Sequence, residues 1–222
     1  MKIFFLIFLI GQKLISNIVT ADITTIDTTD KLADLYFQTH NDISTVINHL
    51  TEFSKLLNNT SIHPKTILDL GCGPGRDINF FVKQGFKCSG IDLSKETLTI
   101  AQKNCPDSEF FMMDMIDLQF QTNSFAGLWS CGSFYHLTKE EGNRALKEFN
   151  RVLKPGGIFF LAVKKGQKEE FENRKEYYEL PKFYSFYQEE EILNLLKSNG
   201  FKILYYNIEY KQYTWINIFS TI

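Results

Sequence analysis

The sequence contains no Cys-x-x-Cys pair, no block of lysine and arginine, no repeat and no low-complexity tract. Its four cysteines, Cys72, Cys88, Cys105 and Cys131, are scattered, and only His136 follows one of them closely, so the spacing of a zinc site is missing. Cys72 sits inside a glycine-rich loop that must stay open to hold a ligand, which argues against disulfides and predicts four reduced thiols. A net charge of −2 supplies no positive field, and nucleic-acid partners are not indicated. No uninterrupted apolar run is long enough to span a bilayer, because the stretch from Ile3 to Ile10 is too short and its extension through Lys13 is broken by polar residues.

What the chain does have is apolar material. At 222 residues with 44% hydrophobic and 15% aromatic content, it can bury one large core, and two full domains would be a squeeze. Residues 1–21 combine Lys2, a short apolar run and a Val19-x-Ala21 ending, the layout of a secretory signal peptide, with an uncleaved extension as the alternative. Residues 22–222 are read as a single domain.

Two helical patterns come first. One is capped by Thr29 or Asp30 and carries Leu32, Leu35 and Tyr36; the other runs from Asp42 to Leu57. Strands and helices then alternate. Strands are predicted at Thr66–Leu70, Lys87–Ile91, Glu109–Met113, Phe125–Ser130 and Ile158–Val163. Helices are predicted at Arg76–Gln84, Lys95–Asn104 and Glu140–Val152. This α/β order implies a parallel sheet covered on both faces. A helix at Glu189–Ser198 and two final strands, Phe201–Tyr210 and Thr214–Thr221, predict an antiparallel hairpin at the end.

The first strand runs through Asp69 into Gly71, Cys72, Gly73, Pro74 and Gly75 and then into a helix, so bare backbone approaches whatever binds there. The dinucleotide fingerprint requires a third glycine where this chain has Arg76, and no Gly-Lys-Ser/Thr follows for a nucleoside triphosphate. Asp92, 23 positions after Asp69, ends the second strand, where a carboxylate can accept from both hydroxyls of a ribose. Asp114 follows the third strand, within reach of an adenine amine. Three such features at successive strand ends point to an adenosine moiety, since open α/β sheets bind ligands at the carboxyl ends of their strands.

Ile67-Leu-Asp-Leu-Gly-Cys-Gly-Pro-Gly75 resembles motif I of the class I S-adenosylmethionine-dependent methyltransferases. Gly90-Ile-Asp-Leu-Ser94 resembles their second motif, Gly127 to Leu137 their fourth, and Leu153-Lys-Pro-Gly-Gly157 the turn before their fifth strand. The resemblance implies a Rossmann-like three-layer sandwich with a seven-stranded, mostly parallel sheet and an antiparallel C-terminal hairpin. It also implies S-adenosyl-L-methionine as cofactor. Gly71, Cys72 and Gly73 would approach its methionine and ribose, Asp69 its amino end, Asp92 its ribose, and Asp114 with Met115 its adenine. Gly75, Leu93 and Cys131 complete the expected set. Arg76-Asp77, Tyr184 to Tyr187 and Thr214-Trp-Ile-Asn217 resemble a subgroup of small bacterial methyltransferases.

Methyl transfer from a sulfonium depends mainly on positioning a nucleophile in line with water excluded. If a base takes part, His136 beside Tyr135 is the candidate, the alternative being a histidine that caps or packs the segment before Thr138. Acceptor contacts are expected from Tyr36 and from the 164–187 insertion, whose Phe171, Tyr177, Tyr178, Phe183, Tyr184, Phe186 and Tyr187 either line a lid or pack an irregular excursion. Ser130-Cys-Gly-Ser133 is unlike the Asn/Asp-Pro-Pro-Tyr/Phe of base-amine methylases, and Cys131 lacks the proline of a cytosine C5 nucleophile. A small-molecule acceptor is therefore favoured, with a protein side chain next. A protein that binds the cofactor without transfer and an NAD(P)-dependent reductase are the competing readings. Localisation is divided: cofactor supply points to the cytoplasm and the N-terminus to export.

Overall fold

The computed structural model describes residues 24–173, 175 and 178–222, apart from the side chains of Tyr36 and His40. The signal-like segment 1–21 and Tyr177 lie outside the described residues. Residues 24–31 are helical, and a bend at Leu32 leads into α1 (Ala33–His40) and then α2 (Ile47–Asn58). The chain continues through β1 (Thr66–Leu70), α3 (Arg76–Lys83), β2 (Lys87–Asp92), α4 (Lys95–Asn104), β3 (Glu109–Met112) and β4 (Phe125–Cys131). A 3-10 turn at Phe134–His136 precedes α5 (Lys139–Val152) and β5 (Leu153–Lys164). The remaining elements are β6 (Glu169–Asn173), β7 (Pro181–Ser185), α6 (Glu189–Ser198), β8 (Lys202–Tyr210) and β9 (Thr214–Thr221).

Seven strands form one sheet in the order β3-β2-β1-β4-β5-β9-β8. The first five run parallel, and β9 is antiparallel to both β5 and β8. The expected Rossmann-like three-layer sandwich with an antiparallel C-terminal hairpin is what forms. Order turns back at β1, which lies between β2 and β4, and the crevice at that switch is where such sheets hold ligands.

Period-two alternation builds both faces. Leu68, Leu128 and Phe159 point to one side with Phe149 of α5 and Ile192 and Leu196 of α6. Ile67, Trp129 and Phe160 point to the other with Leu50, Phe53 and Leu57 of α2 and Ile78 and Phe81 of α3. Removing these side chains from water is the main drive for folding, at about 1.5–3 kcal/mol for each fully buried large apolar residue.

Four expectations change. Thr29 and Asp30 lie inside the first helical stretch rather than capping it; Thr29 Oγ1 donates back to Thr25 O at 2.9 Å, and Asp30 reaches across to the start of α4, its Oδ1 accepting from Ser94 Oγ and Glu96 N. The second helix starts at Ile47, because the Asp42 carboxylate accepts from Ser44 N at 2.8 Å and closes a local turn that competes with helix. The Leu153–Gly157 turn is absorbed into β5: Leu153 pairs with Phe125, then the register jumps to Ile158 opposite Gly127, and the intervening residues bulge out. The insertion contains a second, two-stranded antiparallel sheet, β6 with β7, where an irregular excursion was one of the expectations.

Candidate active site

Motif I folds as a strand, three left-handed glycines and a helix. Gly71, Gly73 and Gly75 have φ of +75°, +50° and +83°. A side chain at Gly71 would place its Cβ 2.3 Å from Ser133 Cβ, whereas at Gly73 nothing lies within 4 Å. Gly71 is thus a packing requirement and Gly73 an open cradle that a Cβ would fill. Gly71 N and Cys72 N both donate to Ile91 O, at 2.9 and 2.8 Å, which ties the loop to β2.

Two clefts open at the carboxyl ends of the strands. The first, about 850 Å³ including its mouth, is lined by Gly71, Gly73, Asp92, Leu93, Asp114, Met115 and His136, and is roofed by Thr25, Ile26 and Thr29. The second, about 1830 Å³ on the same measure, is lined by Asp69, Cys72, Arg76, Cys131, Tyr135 and Asn217 among others. Gly71, Gly73 and Gly132 belong to both. The expected cofactor residues therefore divide between two connected spaces, with one exception. Gly75 lines neither: a Cβ added there would lie 3.3 Å from Ala101 Cβ of α4, and its left-handed turn starts α3.

Asp92 fastens the first cleft. Its Oδ2 accepts from Gly73 N and its Oδ1 from Ser94 N, both at 2.9 Å. Burial raises its pKa, opposed by those N–H donors, by Leu93 N and by the Lys182 ammonium. Each carboxylate oxygen has a second lone pair, so a vicinal diol can still donate to it. Ser94 also caps α4, accepting from Thr97 N at 3.2 Å, and donates to Asp30 Oδ1 at 2.5 Å. Thr28 Oγ1 donates to Pro181 O at 2.8 Å, and Phe183 N donates to Thr25 Oγ1 at 3.1 Å. These bonds fix the first helical stretch between the cleft and the β6–β7 hairpin. The loop after β3 is held by Arg151, which donates to Leu118 O and Phe120 O at 2.7 Å each while paired with Glu148. Within that loop Asp114 Oδ1 accepts from Ile116 N at 3.0 Å.

Beneath the second cleft lies a buried charge cluster. Burial raises the pKa of Asp69, and neighbouring Asp77 and Asp92 raise it further against the pull of Arg76. Arg76 Nε pairs with Asp77 Oδ1 at 2.6 Å, and Asp77 Oδ2 also accepts from Trp129 Nε1 at 2.8 Å. A cation placed beside Asp69 would pull that pKa back down. Burial likewise lifts the Cys72 thiol well above its usual value and Cys131 to about 12, so both sulfurs are neutral thiols, unsuited to nucleophilic attack. All four cysteines are free. Among the described residues no cluster is arranged to hold a metal ion, and no helix is long and apolar enough to cross a membrane.

Tyr135 and His136, neighbours in sequence, face different clefts. The capping box of Thr138 and Glu141 starts α5 immediately after them and sets their positions. His136 Nδ1 lies 2.7 Å from Phe183 O; a carbonyl only accepts, so Nδ1 carries the proton and the basic nitrogen of the neutral ring is Nε2. This bond ties the turn before α5 to β7 of the hairpin, while His136 also lines the first cleft. Of the insertion's aromatics, Tyr184 stacks on Tyr135 at 5.6 Å and Tyr187 is buried in the core, whereas Phe171 and Tyr178 are exposed and Phe183 packs on Phe171. Ordinary packing accounts for most of them, and Lys182 is the hairpin residue that lines the first cleft. Tyr36 cannot be placed, its side chain lying outside those described.

Lys164, His49 and Glu209 were not expected. Lys164 is 3% exposed, and its ammonium lies 4.2 to 5.6 Å from the ring centres of Tyr213, Tyr184, Tyr135 and Trp215. His49 stacks on Phe160 at 5.4 Å with Nε2 2.9 Å from Glu209 Oε1. The available signal for Lys164 was a lysine directly closing the apolar run Ile158 to Val163.

The sheet order and the adenosine-shaped set of strand-end acids define an open, Rossmann-like α/β protein with a nucleoside cleft at its switch point. Residues 67–157 match the family model of the methyltransferase domain. Over 96 residues the chain is 38% identical to the demethylmenaquinone methyltransferase of Chlorobaculum tepidum, covering 43% of this chain and 39% of that one. It superposes on the 1,6-didemethyltoxoflavin-N1-methyltransferase of Burkholderia thailandensis with a TM-score of 0.65 at 19% identity, covering 90% and 88% of the two chains. An S-adenosylmethionine-dependent methyltransferase from Clostridium acetobutylicum gives a TM-score of 0.67 at 17% identity, covering 86% and 98%. Residues 67–157 are thus similar to the methyltransferase domain, and the fold of the chain is the one these solved methyltransferases share. It spans about half or less of the length of the curated relatives it matches.

Proposed function

We propose that this protein transfers a methyl group from S-adenosyl-L-methionine to a small-molecule acceptor. The observation that carries the reading is the division of the strand-end crevice into two clefts that share the bare backbone of Gly71, Gly73 and Gly132. The first suits an adenosine: Asp92 for the ribose, Leu93 and Met115 for the flat faces of the base, and Asp114 for its amine. The second begins at Asp69 and Cys72, where an amino acid end would lie, and widens into space enough for a second molecule. When bound, the sulfonium supplies an activated methyl whose bond to sulfur breaks with the electron pair passing to sulfur.

The chain's residues supply the rest. The glycine partition brings donor and acceptor spaces together without a side chain between them, which is the positioning that displacement needs. Tyr135 and the aromatic rings around Lys164 exclude water from the acceptor side. His136 acts as a positioning residue, holding the hairpin through Phe183 O, and the acceptor loses its proton without help from that ring. A small acceptor is supported by the aromatic lining of the second cleft, by a net charge of −2, and by relatives whose names specify small-molecule substrates.

Titration calorimetry with S-adenosylmethionine, S-adenosylhomocysteine and NADPH tests the assignment, with mass spectrometry of S-adenosylhomocysteine formed over a panel of small acceptors. Micromolar binding of the first two, none of NADPH, and turnover with at least one acceptor are expected. Failure to bind S-adenosylmethionine refutes the proposal, and binding without product across the panel leaves a cofactor-binding protein instead.

A further inference from the structure

Asn217 is an anomaly in β9. Its neighbours in sequence, Ile216 and Ile218, belong to the buried core on one face, while Trp215, Asn217 and Phe219 share the opposite face. Asn217 is 3% exposed, and its Nδ2 is fully buried without a hydrogen-bond partner among the described residues. A buried amide that donates to nothing is destabilising, and native proteins keep few of them. Asn217 nonetheless lines the second cleft.

Its surroundings say what would satisfy it. On β5 the residue opposite is Ala162, a small side chain that lines the same cleft. Two pairs further along, on the same face, Lys164 stands opposite Trp215, with Tyr213 and Tyr135 around the ammonium. On the other side of Asn217 the register pairs it with Asn207, whose Nδ2 lies 3.4 Å from Glu209 Oε1, and that oxygen pairs with His49. The cleft thus offers flat apolar ring surface next to one unpaired amide. Rings favour a planar partner, and the enclosed Lys164 ammonium disfavours a cationic one.

We infer that Asn217 is the acceptor-recognition residue, donating from Nδ2 to the ring carbonyl of a planar, uncharged heteroaromatic acceptor that lies against Trp215. This inference rests on the methyltransferase reading, in which the second cleft receives the acceptor. A lactam edge presents such a ring carbonyl, next to an N–H, to that donor.

The test uses the full chain saturated with S-adenosylhomocysteine and a matched pair of probes, 2-quinolone and quinoline, of which the first alone has a lactam edge. Calorimetry is expected to show 2-quinolone binding about tenfold tighter than quinoline, the worth of one well-made hydrogen bond. Asn217→Leu should erase that difference and leave quinoline and S-adenosylhomocysteine affinities unchanged. Because the variant removes an unsatisfied amide in favour of a side chain of similar size, its melting temperature should equal or exceed the wild type's. The inference is overturned if the wild type does not distinguish the probes or binds neither. A difference that survives in Asn217→Leu overturns it as well, as does a melting temperature that falls. Loss of S-adenosylhomocysteine binding by the wild type is a separate result and would sink the methyltransferase reading itself.

Discussion

Alanine substitutions at Gly71 and Gly73 should separate folding from binding. Both glycines are left-handed, at φ +75° and +50°, and an L-residue held there costs about 1–2 kcal/mol. At Gly71 the new Cβ also overlaps Ser133 Cβ at 2.3 Å, and forced overpacking adds about 1–3 kcal/mol. Gly71→Ala is therefore expected to lose about 2–5 kcal/mol of stability. Gly73→Ala meets no atom within 4 Å and should lose only the backbone part, about 1–2 kcal/mol. Urea unfolding at constant slope measures both. The order inverts for ligand binding: the Gly73 methyl enters the space shared by the two clefts, and S-adenosylhomocysteine affinity should fall at least about tenfold, or about 1.4 kcal/mol. A double-mutant cycle with Ser133→Gly isolates the overlap, since glycine at 133 removes the clashing Cβ but not the strain; a favourable coupling of about 1–3 kcal/mol is expected. Equal stability losses at the two glycines, or wild-type ligand affinity in Gly73→Ala, would refute the division between packing glycine and cradle glycine.

Two further outcomes follow from buried charge. Asp77→Asn keeps an oxygen for Trp129 Nε1 but removes the carboxylate that faces the largely buried Arg76 guanidinium; stability should drop by about 3–5 kcal/mol in urea unfolding, and a loss under about 1 kcal/mol would contradict the pairing. Burial holds the pKa of His49 below its ordinary 6.5, outweighing the opposing pull of Glu209, while Lys211 lowers it further. The folded ring resists a proton that the unfolded chain accepts, so the stability present above about pH 6.5 is lost as pH falls through the folded value. His49→Gln should flatten the decline in stability between about pH 7 and pH 5, and an unchanged slope would contradict it.

The sheet was readable because its strands are period-two or apolar runs closed by turn residues, and because Asp69, Asp92 and Asp114 mark successive strand ends. Gly75 misled, since a glycine three places into such a loop looks like ligand-facing backbone until α4 is packed against it. The β6–β7 hairpin escaped notice for a local reason: Glu169-Glu-Phe-Glu-Asn173 is charged and short, with strand alternation carried by one phenylalanine. Thr29 and Asp30 look like caps of the first helix and Asp42 like the start of the second, and only the longer helical stretch and the competing Asp42–Ser44 turn reveal otherwise. Lys164, His49 and Asn217 depend on register between distant strands, β5 against β9 and β8 against β9, which no local pattern encodes.

The shared wall between the clefts has a bearing on how such a protein diversifies. Gly71, Gly73 and Gly132 contribute backbone alone, while the side chains on either side come from separate stretches of chain: the ends of β2 and β3 with the first helical stretch for one, α2, the end of β5 and the β8–β9 turn for the other. Under the proposed function, inheritance can therefore rewrite the wall of the second cleft residue by residue, exchanging Asn217, Trp215 or His49, with the first cleft untouched. On that reading the glycines act as a hinge between two vocabularies, one fixed by a common cofactor and one open to whatever molecule the lineage comes to methylate.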